Sequence, residues 1–291
     1  MSEAVPSPVS RARWWRDVPL TVWIVGAIIV TIVLAAVFAP LIAPADPARQ
    51  VLLARLRPPG FQSGSGQLYL LGTDDVGRDL LSRIIYGARA SLLVACLSVA
   101  VSMVVGTLLG MIAAWSRGPV EVAIMRLVDA MLSIPAILLA VLTVAVLGPS
   151  FFNLILVLGL TRWPRYTRVA YGQTLQLVTL PYIRAAEIAG AGATRILVRH
   201  VLPNILGPVM VVATTEFGLM ILFEAGLSFL GLGIQPPTPS WGSIMSAGRQ
   251  YVERAWWLTV FPGACLFLLV FSVNVFGDWL RDRVDPRSRT R

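Results

Sequence analysis

The chain has 291 residues, 56% of them hydrophobic and only 13% charged, with a mean hydropathy of +0.75. A water-soluble domain averages about 45–50% apolar and about 25% charged residues, so the composition excludes an ordinary soluble domain, a disordered chain and a disulfide scaffold, and it points to a polytopic membrane protein. All 24 basic residues are arginine, which removes a P-loop and any lysine-based mechanism, while one histidine and two distant cysteines, Cys96 and Cys265, remove HExxH and CxxC chemistry.

In chain order, residues 1–19 read as a cytoplasmic tail and residues 20–43 as the first transmembrane helix, since about 20 apolar residues cross a bilayer core. That run exceeds the apolar stretch of a signal peptide, and Pro40 follows the small Ala39, so a retained helix is expected. Residues 44–89 form an extracytoplasmic loop, Gly-rich from Gly60 to Gly72. Residues 90–280 hold five further spans. Ala90 to Ala114 is the second. Val120 to Thr161 is too long for one helix, and Gly148-Pro149-Ser150 divides it into two. Asn204 to Leu227 is the fifth and Trp257 to Trp279 the sixth. Between them lie a cytoplasmic loop at 162–203 and an extracytoplasmic loop at 228–256, and residues 281–291 form a second cytoplasmic tail. This orientation places fifteen arginines on the cytoplasmic side against eight outside, as the positive-inside rule requires. The formal charge of +9 therefore speaks for topology, not for nucleic acid.

Within the loop 162–203, Pro181 suits a first helical turn and Pro203 is expected to bar a helix from continuing past Leu202. Between them Ala185, Ala186, Ala189, Gly190, Ala191, Gly192 and Ala193 make a patch of minimal side chains. Such a patch admits a second backbone, and Arg184, Arg195 and Arg199 stand ready for carboxylates. A partner's surface and the chain's own bundle both fit that description. Charges inside the apolar runs are costly and face protein or a water-filled path. Arg126 and Asp129, three apart on one helix face, are expected to pair. Glu216 and Glu224, about two turns apart, are left between structure and function.

The loop resembles the EAA loop of bacterial ABC-importer permeases, with Arg184-Ala185-Ala186, Gly190 and Leu202-Pro203 at the family's spacing. Arg184 stands where that pattern has Glu, and His200 where it has Ile. The segment Leu71 to Leu92, the segment Glu224 to Gly233 followed by Pro236-Pro237 and Pro239 to Gly242, and the C-terminal Gly277-Asp278, Leu280-Arg281-Asp282 and Asp285-Pro286-Arg287 resemble the C-type (oligopeptide permease C-like) subunit of the dipeptide/oligopeptide/nickel importers. The resemblance covers about residues 20–287 and implies an all-α membrane protein of six transmembrane helices, the type I ABC importer permease fold, with a cytoplasmic coupling helix in the EAA loop.

That resemblance further implies a non-catalytic subunit of the bacterial inner membrane with no cofactor or metal of its own. Its expected partners are a second, B-type permease, two ATPases or one fused pair that bind ATP and Mg, and an extracytoplasmic binding protein. The coupling residues would be Arg184, Ala185, Ala186, Gly190, Ala191, Arg195, Arg199, Leu202 and Pro203. The resemblance also makes Asp74, Asp75, Arg78, Asp79, Glu224 and Trp241 candidates for binding-protein docking or gating, against a lid packed on its own bundle. An intramembrane enzyme is the competing class, but no GxSxG occurs and His200 lies in a loop. The family carries peptides and nickel complexes, and no histidine or cysteine lies where the path should run, which favours peptide.

Overall fold

The computed structural model describes residues 18–64 and 66–284, so the predicted tails and Asp285-Pro286-Arg287 lie largely or wholly outside the described residues. Helix α1 (Leu20–Val37) leads into the short α2 (Ala39–Ile42). The next segment folds around a two-stranded antiparallel hairpin, β1 (Phe61–Gln62) and β2 (Leu68–Tyr69). Helix α3 (Leu80–Ser116) follows, then α4 (Gly118–Ser133), α5 (Ala136–Leu147), α6 (Phe151–Val178), α7 (Pro181–Ile188) and α8 (Ala193–Ile196). A π-turn over Leu197–Val201 runs directly into α9 (Leu202–Phe229), and α10 (Trp241–Gly248) and α11 (Trp257–Val284) complete the bundle.

Four helical stretches among the described residues are long and apolar enough to cross a membrane: α1, α3, the continuous α8–α9 stretch and α11; the α4–α5 pair makes a fifth if its two limbs form one span. The remaining predicted span is α6. Its 28 residues extend about 42 Å, enough to cross the hydrocarbon core, but it carries Arg162, Arg165 and Arg168. Large apolar side chains such as Leu142, Val146 and Phe267 stand exposed on the outside of the bundle, as lipid-facing residues do.

The helices depart from the hydropathy runs at three places. Helix α3 begins at Leu80, not near Ala90, because Asp79 caps it by accepting from the Ser82 N–H at 2.8 Å and charged Arg83 and Arg89 lie on its first turns. Helix α6 continues to Val178 through the segment read as the start of a cytoplasmic loop. The third span is not one straight helix: its two limbs meet at 90°. Pro135 supplies no N–H, and Ile134 before it takes the extended backbone that a following proline imposes.

Pro203 does not stop a helix either. It sits in the first turn of α9, and the π-turn before it widens the backbone where the ring would otherwise meet the preceding carbonyl. Between apolar helices in lipid, close packing and hydrogen bonds replace the hydrophobic drive. The α3–α6 interface shows both. A Cβ on Gly106 would lie 2.4 Å from the Trp163 carbonyl oxygen, and one on Gly110 2.6 Å from that of Thr167. The Ser102 hydroxyl donates across the same seam to the Gly159 carbonyl at 2.6 Å.

Candidate functional site: a polar cavity and an exposed loop helix

Helices α6 and α9 carry a charge cluster near their midpoints. Arg162 donates from Nε and Nη2 to the two oxygens of Glu216, at 2.7 and 2.8 Å. Both side chains are buried, and the Arg162 guanidinium lies over the Phe223 ring at 5.4 Å. Arg165 approaches the same carboxylate through Nη1 at 3.3 Å. Glu216 thus has a structural partner, which the sequence left open. Its cation lies 54 positions away, beyond the reach of any local pattern.

Arg165, Glu216 and Thr215 line a cavity of about 1310 Å³ that continues past Arg168, Gln173 and Gln176 to Pro203, Asn204 and Arg281. By helical rise, Glu216 lies about 21 Å along α9 from Leu202, so the cavity runs from mid-bundle to the end that carries α7. The expected Arg126–Asp129 pair is not formed. Asp129 instead accepts from Arg168 Nη2 at 2.6 Å, because the turn between α5 and α6 and the bend at Pro135 bring α4 alongside α6. Arg126 is exposed and has no ion-pair partner among the described residues.

At that end, α7 is an eight-residue helix opened by Pro181. Ile183 is fully buried and anchors it, while Arg184 and Ala185 are exposed and Ala186 half-buried. Its C-terminus is a Schellman motif: the Ala191 N–H donates to the Ala186 carbonyl at 3.0 Å and the Gly190 N–H to Glu187 at 2.9 Å. Gly190 has φ +85 and open space around it, so the turn itself, not a close contact within the chain, requires glycine. Ala191 is half-buried, Arg195, Arg199 and Pro203 are exposed, and Leu202 is half-buried at the start of α9.

At the opposite end, internal polar contacts hold most of the residues named as candidates for docking or gating, as a lid packed on its own bundle would. Asp74 is buried; it accepts from the Val76 and Arg78 backbone N–H groups and pairs with Arg78 Nε at 2.6 Å. Asp79 is spent on the α3 cap. Glu224 is fully buried and accepts from Ser91 and Ser228, each at 2.7 Å. Trp241 is buried as well, its indole N–H donating to the Ile84 carbonyl at 3.0 Å. Only Asp75 and Arg78 of the six remain partly exposed, and they are 3.8 Å apart.

The family described as binding-protein-dependent transport system inner membrane component matches residues 106–290, and the N-terminal TM domain of oligopeptide transport permease C matches residues 21–59. The chain is 47% identical over 265 residues to the dipeptide transport system permease protein DppC of Escherichia coli (strain K12), covering 91% of this chain and 88% of that protein. It is 42% identical over 284 residues to the di/tripeptide transport system permease protein DppC of Pseudomonas aeruginosa (strain UCBPP-PA14), covering 97% and 93%. Among solved structures, an inward-facing form of the MetNI methionine ABC transporter superposes with TM-score 0.57 at 20% identity, over 71% of this chain and 98% of that one; that likeness concerns the fold.

Proposed function

The chain belongs to the binding-protein-dependent transport system inner membrane components, and from that premise we propose that it is the permease subunit of an ATP-driven importer of di- or oligopeptides, with α7 as its coupling helix. The observation that carries this reading is the pair of ends of one polar cavity. Helix α7 stands exposed beyond the end lined by Gln176, Pro203 and Asn204, and the Arg162–Glu216 cluster stands at the mid-bundle end. A sister permease of the B type covers the open flank of the cavity and completes the path. An extracytoplasmic binding protein delivers peptide at the α10 end. ATPases, separate or fused, bind ATP and Mg on the cytoplasmic side and receive α7.

The mechanism follows from how α7 is held. Ile183 fixes it to the bundle, and the stretch from Ala193 through the π-turn runs without interruption into α9. A push on α7 and α8 therefore acts along the helix that carries Glu216 and lines the cavity. The small residues Ala185 and Ala186 let an ATPase cleft close on the α7 backbone, and Arg184, Arg195 and Arg199 stand at its margins. Peptide passage needs no covalent step in this subunit.

The test is Ala186→Trp in the complex assembled with both ATPases, the sister permease and the binding protein. Overpacking a fitted contact costs about 1–3 kcal/mol, which weakens docking roughly 5- to 150-fold. Dipeptide-stimulated ATP hydrolysis should fall accordingly, while the variant still inserts and co-purifies with its sister permease. Unchanged hydrolysis would remove α7 from the ATPase contact.

A further inference from the structure

The mid-bundle cluster holds one more positive charge than its carboxylate neutralises. Arg162 takes both oxygens of Glu216 in fork geometry and is buried. Arg165 reaches only the oxygen already engaged by Arg162 Nη2, at 3.3 Å. Its Nε and Nη2 have no acceptor among the described residues, and the side chain, 53% exposed, lines the cavity. A guanidinium in that position is costly at bilayer depth and marks a solute or ion path. Arg281 follows toward the α7 end, as does Arg168, which is paired with Asp129, and among the described residues lining the cavity Glu216 is the only acidic one. Its volume of about 1310 Å³ exceeds that of a pocket closed around a single small ligand, about 300–1,000 Å³, and accommodates a solute that keeps part of its water.

We infer that Arg165 is the transit contact for the α-carboxylate of the peptide. The free edge of its fork receives the carboxylate at mid-membrane, in the planar geometry that guanidinium and carboxylate share. Glu216 orients Arg165, and Arg162 acts as a positioning residue by holding Glu216. The passing carboxylate supplies the counter-charge that the cluster lacks, and Arg281 presents a further cation along the route out. This assignment rests on the peptide-importer reading.

The assembled transporter in proteoliposomes tests it, with binding protein saturated by Ala-Ala or by Ala-Ala amide and its affinity for each measured separately. Losing one charge-assisted hydrogen-bonded contact predicts that Arg165→Gln slows uptake of the free acid about tenfold or more. Uptake of the amide should stay within about twofold of wild type, because the amide never used the lost charge. Arg165→Lys, which keeps the charge but loses the fork, should recover part of the rate. Equal slowing of both forms, or no slowing of either, overturns the assignment. So does loss of the sister permease on purification, which would make Arg165 an interface contact. An effect that vanishes in vesicles without anionic lipid would assign the site to a headgroup and overturn it too. A wild-type complex that carries neither form would instead refute the peptide reading, and this inference with it.

Discussion

Arg162 and Glu216 show how much a single residue's meaning depends on one partner. Removing Glu216 leaves Arg162 buried and uncompensated, a loss of about 3–5 kcal/mol, whereas removing Arg162 leaves Glu216 with Arg165 alone, at 3.3 Å. Glu216→Ala should therefore lower the thermal unfolding midpoint of the purified protein sharply. Arg162→Met with Glu216→Leu should restore most of that stability, since a buried pair replaced by apolar side chains of similar volume is often neutral or better. Single and double variants that lose the same amount would show the pair to be uncoupled. Arg168 and Asp129 make the contrasting case. Their bond is short, 2.6 Å, but both side chains are more than half exposed, and such pairs contribute about 0–1 kcal/mol. Arg168→Gln should hardly move the same midpoint. The sequence pointed to Asp129 as a paired acid but assigned it Arg126, because helical spacing is a local rule and the actual partner is 39 positions away.

At the scale of elements, two glycine sites separate conformational need from packing need. Gly106 and Gly110 face main-chain atoms of α6 that cannot move aside. Gly106→Ala should destabilise the bundle by about 1–3 kcal/mol, read by thermal unfolding in detergent, and Gly106→Leu should prevent isolation of a folded subunit. Gly190 meets nothing, and its substitution strains only the left-handed turn, by about 1–2 kcal/mol. A bulky residue at Gly190 would therefore confound turn strain with ATPase docking, whereas Ala186→Trp, inside the regular helix α7, adds no turn strain. The start of the loop helix was legible from Pro181, whose backbone preference opens a helix on its own, but its end at Ile188 was not, since the helix was expected to run on to Leu202. The π-turn at Leu197–Val201 was not, since it arises from the fit of Pro203 into a continuous helix.

Taken as a whole molecule, the bundle has one end held by internal polar contacts and another that carries α7, which gives a direct test of orientation. In a background with Cys96→Ala and Cys265→Ala, cysteines placed at Arg195 and Arg254 should label from opposite sides of the membrane. Both residues are exposed, one on α8 and one before α11. An impermeant thiol reagent added outside intact cells should reach position 254 only. A cysteine at Thr215, in the cavity wall, should be reached from the side that labels position 195. Labelling of 195 and 254 from one side would invert or break the proposed topology.

Composition alone determined that this chain lives in a membrane, because 13% charged residues cannot cover a water-soluble surface of this size. Apolar run length set the rough place of the membrane-length helices, and the punctuation by Pro181 and Gly148-Pro149-Ser150 marked where α5 ends and where α6 and α7 begin. The tertiary structure decided where the charges go. Arg162 and Arg165 ended an apolar run and so read as a loop, yet they lie inside a helix because Glu216 on another helix neutralises one of them. For Asp74, Asp79, Glu224 and Trp241 the sequence left docking or gating open against a lid packed on the bundle, and the fold gives each an internal donor or acceptor. Hydropathy weighs a residue by its own transfer cost, whereas inside a fold that cost depends on a partner that only the packing of distant segments supplies.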